Sequence, residues 1–253
     1  LVYFLAPRRA KNGVLLLASL IFYGWGEPRD LLVMLAAIMQ GYLFGLLIGK
    51  LRGRPAAKTC LAASVVLSFA ALAYFKYADF FLANFNALTG LSVPLLRVAL
   101  PVGISFYTFQ TVSYIIDCHW EKVKPQRSLK NFLLYITLFP QLVAGPIVRY
   151  STIEKEIESR KVSPKDISYG LNRVALGLAK KVLLANQLSI IADNFLGKIE
   201  NSTVVGAWFG VTAYALQIFF DFSGYSDIAI GLGRVFGFHF DENFDHPFIC
   251  KDI

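Results

Sequence analysis

The chain has 253 residues, of which 56% are hydrophobic and only 17% charged. A soluble domain needs a polar surface and carries about 25% charged residues, so the composition excludes an ordinary soluble globule. The net charge of +8 invites a nucleic-acid reading, but the basic residues gather at the ends of apolar segments, as in Pro7-Arg8-Arg9-Ala10-Lys11 and Lys50-Leu51-Arg52-Gly53-Arg54. Anionic lipid and the positive-inside rule favour that placement, so the expected partner is a lipid bilayer and no nucleic acid.

In chain order, residues 1–6 read as the tail of an apolar helix that begins upstream, being too short to cross about 30 Å of hydrocarbon. Residues 14–25 form a short apolar run bounded by Gly24 and Gly26. Asp30 is a plausible N-cap for the long run over residues 31–48. A basic loop at 50–58 leads to a further span over residues 60–75. Residues 76–97 read as an aromatic interfacial stretch with Phe80, Phe81 and Phe85, followed by a loop holding Gly90 and Pro94. The two purely basic loops are expected on the cytoplasmic side, and the loop with Glu27, Arg29 and Asp30 outside.

The next two apolar runs are interrupted. Residues 98–116 contain Pro101-Val102-Gly103, and residues 132–148 contain Pro140 and Gly145-Pro146. Proline removes a helix donor, and broken helices are tolerated at membrane depth where they pack in protein or line a wet cavity. Both a kinked helix and a re-entrant segment satisfy this pattern. Residues 149–166 form the longest polar stretch, read as a solvated surface helix or loop. Residues 167–196 then read as one long helix. Arg173, Gly177, Lys180 and Lys181 lie on one side of it, either as cations snorkelling to an interface or as a basic groove for an anionic donor. Residues 204–220 form the next span. The last six residues stop inside an unfinished element, so the chain reads as truncated at both ends and as one integral-membrane domain over 1–253.

Chemistry concentrates in Gln217-Ile218-Phe219-Phe220-Asp221-Phe222-Ser223-Gly224-Tyr225-Ser226-Asp227, expected to link residues 204–220 to another apolar run over 228–238. A carboxylate at membrane depth is costly unless paired or hydrated, and commonly faces a bundle interior or a water path. Gly224 suggests a break there, with Asp221 or Ser223 capping the following helix. A hydrated interfacial loop is the alternative. Cys60, Cys118 and Cys250 show no ligand or disulfide spacing, and no metal site is indicated. His119 lies at a segment end, while His239 and His246 fall in a polar tail. A secondary transporter and a non-catalytic membrane scaffold are both compatible with these features.

Several motifs occur in an order that is similar to one family. They are Pro101-Val102-Gly103-Ile104-Ser105-Phe106-Tyr107, Phe139-Pro140-Gln141-Leu142-Val143-Ala144-Gly145-Pro146, the Phe220–Asp227 segment, and Glu242-Asn243-Phe244-Asp245-His246-Pro247-Phe248. Together they resemble the bacterial branch of the membrane-bound O-acyltransferase (MBOAT) family, closest to its alginate-acetylating members and more distantly to its teichoic acid D-alanylating ones. The resemblance implies an all-α polytopic protein whose helices ring a tunnel across a thinned membrane. It implies transfer of an acyl group, most simply acetyl, from cytoplasmic acetyl-CoA towards an exopolysaccharide such as alginate, with extracytoplasmic partner proteins completing the step, in a bacterial inner membrane. Asp221, Ser223, Tyr225, Asp227 and His246 are then expected to line or brace the tunnel, and Arg173, Lys180 and Lys181 to meet the donor. The family's essential histidine and a Trp-His pair are expected beyond Ile253. No catalytic residue is expected within this chain, which alone would be inert.

Overall fold

The computed structural model describes residues 2–26, 28–142, 145, 148–197 and 203–245. Helices account for all the regular secondary structure among these residues. Among the described residues, four helices are long and apolar enough to cross a membrane: Pro28–Lys50, Pro55–Thr89, Pro164–Leu196 and Val204–Val235. Their apolar side chains point outwards as well as inwards. On the first of them Met34 and Ile38 are fully buried while Leu32 is 70% and Leu43 56% exposed. Such a surface would aggregate in water but is matched by lipid. The protein is therefore an all-α, multi-span membrane protein.

The chain divides into two compact units, Leu1–Val143 with Arg149–Glu158, and Ala144–Val148 with Ser159–Ile253. The first unit contains α1 (Val2–Leu5), α2 (Lys11–Gly26), α3 (Pro28–Lys50), α4 (Pro55–Thr89), α5 (Ile104–His119), α6 (Leu129–Thr137) and α7 (Tyr150–Glu158). At one end of the unit lie the C-terminus of α2 and the N-termini of α3 and α5. There the Tyr23 hydroxyl donates to the Val102 carbonyl at 2.8 Å, and the Val102 N–H donates to the Asp30 carboxylate at 3.2 Å. Asp30 thus sits inside the first turn of α3, where it favours the positive helix end; it is not the N-cap expected from the sequence. Midway along α3 and α4, the Gln40 amide donates to Ser64 Oγ at 2.8 Å and accepts from Ser68 Oγ at 3.1 Å.

Helix α4 continues through the aromatic stretch that the sequence assigns to an interfacial region, and stops only at Gly90, whose φ of 71° ends the helix in the left-handed conformation. The break expected at Pro101-Val102-Gly103 is present. Residues 90–103 are not helical, and α5 starts only after Gly103, which has φ 73°.

The second interrupted run is re-entrant. Helix α6 starts beside α2's N-terminus, where Asn12 donates to the Asn131 side chain at 3.1 Å. By Phe139 the chain has reached only the middle of α2, where its N–H meets Ser19 Oγ at 3.2 Å. It then comes back to the end it left: Gln126 donates to the Tyr150 hydroxyl at 2.8 Å, and Asn12 donates to the Ile157 carbonyl at 2.8 Å. Helix α6 ends at Thr137, with Leu138 already non-helical, and Pro140, which lacks a backbone donor, cannot extend it. The core beneath it is aromatic, with Phe132, Tyr135, Tyr114 and Tyr150 all buried and their rings packed edge to face or tilted. The polar stretch after it contains α7, which buries Tyr150, Ile153 and Ile157 at helical spacing.

The second unit is built on two long antiparallel elements. Helix α8 (Pro164–Ala179) passes through a π-helical turn, Lys180–Ala185, into α9 (Asn186–Leu196), and α10 (Val204–Val235) returns along it. Ser163 opens α8 with a capping box, exchanging hydrogen bonds with Asp166. Thr203 caps α10 by accepting from the Gly206 N–H at 3.1 Å. The link expected at residues 217–227 is absent, because α10 runs unbroken through it. Gly224 packs against α8 and does not interrupt the helix, and Asp221 and Ser223 cap nothing.

Candidate functional site

Four glycines bring the two elements of the second unit together. A Cβ at Gly170 would lie 2.5 Å from the Gly231 carbonyl oxygen, and one at Gly177 would lie 2.5 Å from that of Gly224. The seven-residue spacing is the same on both helices, about two turns, so one antiparallel register satisfies both contacts. Backbones this close hold the intervening charged side chains across the seam from each other.

Asp227 is the centre of the resulting network. Arg173 Nε donates to its Oδ1 at 2.8 Å, with Nη2 2.7 Å from the same oxygen. Lys180 Nζ donates to its Oδ2 at 2.6 Å and to Ser223 Oγ at 3.0 Å. The Asp227 side chain is only 10% exposed. Arg173 also donates to the Tyr169 hydroxyl at 2.9 Å and grips the Glu242 carboxylate with both terminal nitrogens, through Nη1 at 2.7 Å and in a close Nη2 contact. It thereby ties the segment after α10 to the helix pair. Six residues before Asp227, nearly two turns along α10, Asp221 is ion-paired with Lys181, and its side chain is 39% exposed. Three cations meet three carboxylates, and the cluster is close to neutral.

At about 1.5 Å per residue α10 is about 48 Å long, well beyond the hydrocarbon thickness. Asp221 falls near its middle and Asp227 about three-quarters of the way along it, while Lys180 falls near the middle of Pro164–Leu196. Charges at such depth persist when paired with each other and open to protein or water. Beside them is an open groove of about 600 Å³, lined by Leu176, Leu183 and Leu184 together with Arg173, Lys180 and Asp227. The π-helical turn, a feature that accommodates an extra residue within a helix, begins at Lys180. Its two lysines can therefore both address α10.

Of the residues singled out from the sequence, Arg173, Lys180 and Lys181 are brought together with Asp221, Ser223 and Asp227. Tyr225 is half-buried on the same helix. His246 lies outside the described residues. Glu242 and Tyr169 join the network without having been singled out, because their roles depend on Arg173, distant in sequence from Glu242. Gln141, at the turn of the re-entrant segment, donates to the Tyr135 carbonyl at 2.6 Å, while its buried Oε1 meets no partner among the described residues.

The sequence model of the membrane-bound O-acyltransferase family matches residues 123–253. The chain belongs to that family. It is 39% identical over its whole length to a probable alginate O-acetylase of Pseudomonas syringae pv. tomato, covering 49% of that protein. To the peptidoglycan O-acetyltransferase of Helicobacter pylori it is 31% identical, with 99% of the chain covering 54% of the relative. A teichoic acid D-alanyltransferase of Bacillus subtilis matches 60% of the chain at 30% identity, over 39% of its own length. The chain thus spans about half the length of the curated relatives it matches in full. Within this MBOAT chain, the family match takes in the re-entrant segment and the whole Asp227 network.

Proposed function

We propose that the protein containing this chain transfers an acetyl group across a bacterial inner membrane for O-acetylation of an exopolysaccharide such as alginate. Acetyl-CoA is the donor on the cytoplasmic side, and extracytoplasmic partner proteins take the group onward. The full-length identity to the alginate O-acetylase relative supports the acetyl group and the polymer class. The observation that carries the reading is the pairing of Asp227 with Arg173 and Lys180 between two long apolar helices, beside a groove lined by leucines. A lipid-facing helix has no use for such charges, whereas a wetted passage in which an acetyl group leaves a cytoplasmic thioester for an acceptor hydroxyl does.

In this reading Arg173, Lys180 and Lys181 serve the donor through a network already engaged with Asp221, Ser223 and Asp227. The network fixes helix α10 and the Glu242 segment so that the passage keeps its shape. In this reading proton transfer to or from the acceptor hydroxyl is left to a histidine outside the network, since a group with a pKa near neutrality suits that step. No residue of this chain is assigned catalysis.

The test is replacement of the alginate O-acetylase in an alginate-producing Pseudomonas with the full-length protein. Ester-linked acetyl on the secreted polymer is then measured by proton NMR, with radiolabelled acetate tracing other polymers. Restored acetylation is expected. Full-length protein inserted in the membrane with no labelled polymer of any kind would overturn the reading.

A further inference from the structure

A second built site lies in the first unit, far along the chain from the Asp227 network. At the end of the unit where α3 and α5 finish and α4 begins, a pocket of about 350 Å³ is lined by Arg52, Arg54, Lys58, His119 and Glu121. That volume is at the lower end of the range for small-ligand sites. Three cations face one carboxylate, so the pocket carries a positive excess even with His119 neutral.

Its construction suits an anion. Glu121 is held at φ 61°, a left-handed conformation that non-glycine residues adopt at a cost of about 1–3 kcal/mol. That backbone brings its carboxylate to Arg52 Nε at 3.2 Å, so only one edge of the guanidinium is occupied. Helix α4 starts at Pro55 with no side-chain cap, leaving the positive end of a 35-residue helix at the pocket. The buried Nδ1 of His119 has no hydrogen-bond partner among the described residues. That nitrogen is closed off from the pocket space, so the groups offered to an anion are Arg52, Arg54 and Lys58.

The surroundings identify the source of the anion. Trp120, 62% exposed, adjoins His119, and Lys122 stacks over its ring at 4.7 Å. An exposed tryptophan beside cations is the signature of headgroup depth. From there α3 leads away with Leu47 and Leu43 exposed, an apolar face along which acyl chains can lie. We infer that this pocket binds the phosphate headgroup of an anionic phospholipid.

The experiment uses the full-length protein, stripped in detergent and titrated with phosphatidylglycerol or phosphatidylcholine under native mass spectrometry. Wild type is expected to retain one phosphatidylglycerol in preference to phosphatidylcholine. The double variant R54Q/K58Q, altered at exposed positions, is expected to bind phosphatidylglycerol about tenfold or more weakly, each cation near a membrane surface being worth several-fold. R54K/K58R should keep wild-type affinity. R8Q/R9Q, in the other basic loop, should do so too, and an equal loss there would reduce the effect to general surface charge and overturn the site. Equal retention of the two lipids, or full affinity in R54Q/K58Q, would overturn it as well. Inorganic phosphate in excess should leave the lipid bound; displacement would assign the pocket to a free anion and overturn the headgroup reading.

Discussion

At the residue scale, the two carboxylates of α10 differ in what surrounds them. Asp227 is 10% exposed and holds two cations, whereas Asp221 is 39% exposed and holds one. Removing one partner of a buried pair leaves the other charge uncompensated and costs about 3–5 kcal/mol. A pair open to solvent is screened and contributes about 1 kcal/mol or less. Thermal unfolding of full-length D221N in detergent is therefore expected to fall near wild type. If it were as destabilised as a variant lacking Asp227's charge, the exposed side of Asp221 would not be wet. A separate effect concerns α7, where burial and then Glu158 push the Glu154 carboxyl above its usual range. The folded state holds that proton more tightly than the unfolded chain. The associated stability is present at acid pH and is lost as pH rises through the raised value. E154Q should therefore show a smaller loss of melting temperature than wild type between acid and neutral pH, and parallel curves would remove this assignment.

At the element scale, the glycine seam sets how closely α8 and α10 approach. G177A would place a methyl 2.5 Å from the Gly224 carbonyl oxygen and 2.9 Å from the Ile228 nitrogen. Backbone atoms yield little, so the helices must part at a cost of about 1–3 kcal/mol. G13A meets nothing within 4 Å and gains helix propensity of about 1 kcal/mol or less. Opposite shifts in melting temperature are expected, and a neutral G177A would show that the seam is looser than described. The same glycines show where the sequence could be read and where it could not. Gly103 stands between Pro101 and the start of α5, and its role as a break was legible from its neighbours. Gly224 has an identical chemistry and a different purpose, since a glycine that admits another backbone cannot be told from one that ends a helix without knowing the partner. For that reason α10 reads as two segments in sequence and is one in the structure. Arg173 and Asp227 were each legible as unusual charges in apolar surroundings. Their pairing was not, because it follows from an antiparallel register set by Gly170, Gly177, Gly224 and Gly231. Residues 132–148 left a kink and a re-entrant turn equally open, and only the contacts of Phe139 with Ser19 and of Tyr150 with Gln126 decide between them.

At the scale of the whole molecule, the long apolar helices make the bilayer the protein's solvent, and two features depart from that solvent's rules. One is a segment that turns back near Pro140, and the other is a charged network between two of the long apolar helices. Both lie within the region matched by the family's sequence model. The central claim is that the Asp227 network belongs to the acyl-transfer apparatus and does more than join two helices. It is tested most directly by measuring the acetyl content of polymer made with full-length D227N, normalised to the amount of folded protein in the membrane. The account expects at least a tenfold fall per folded molecule, because Arg173 and Lys180 lose the charge that positions them. Wild-type acetylation per folded molecule would contradict it.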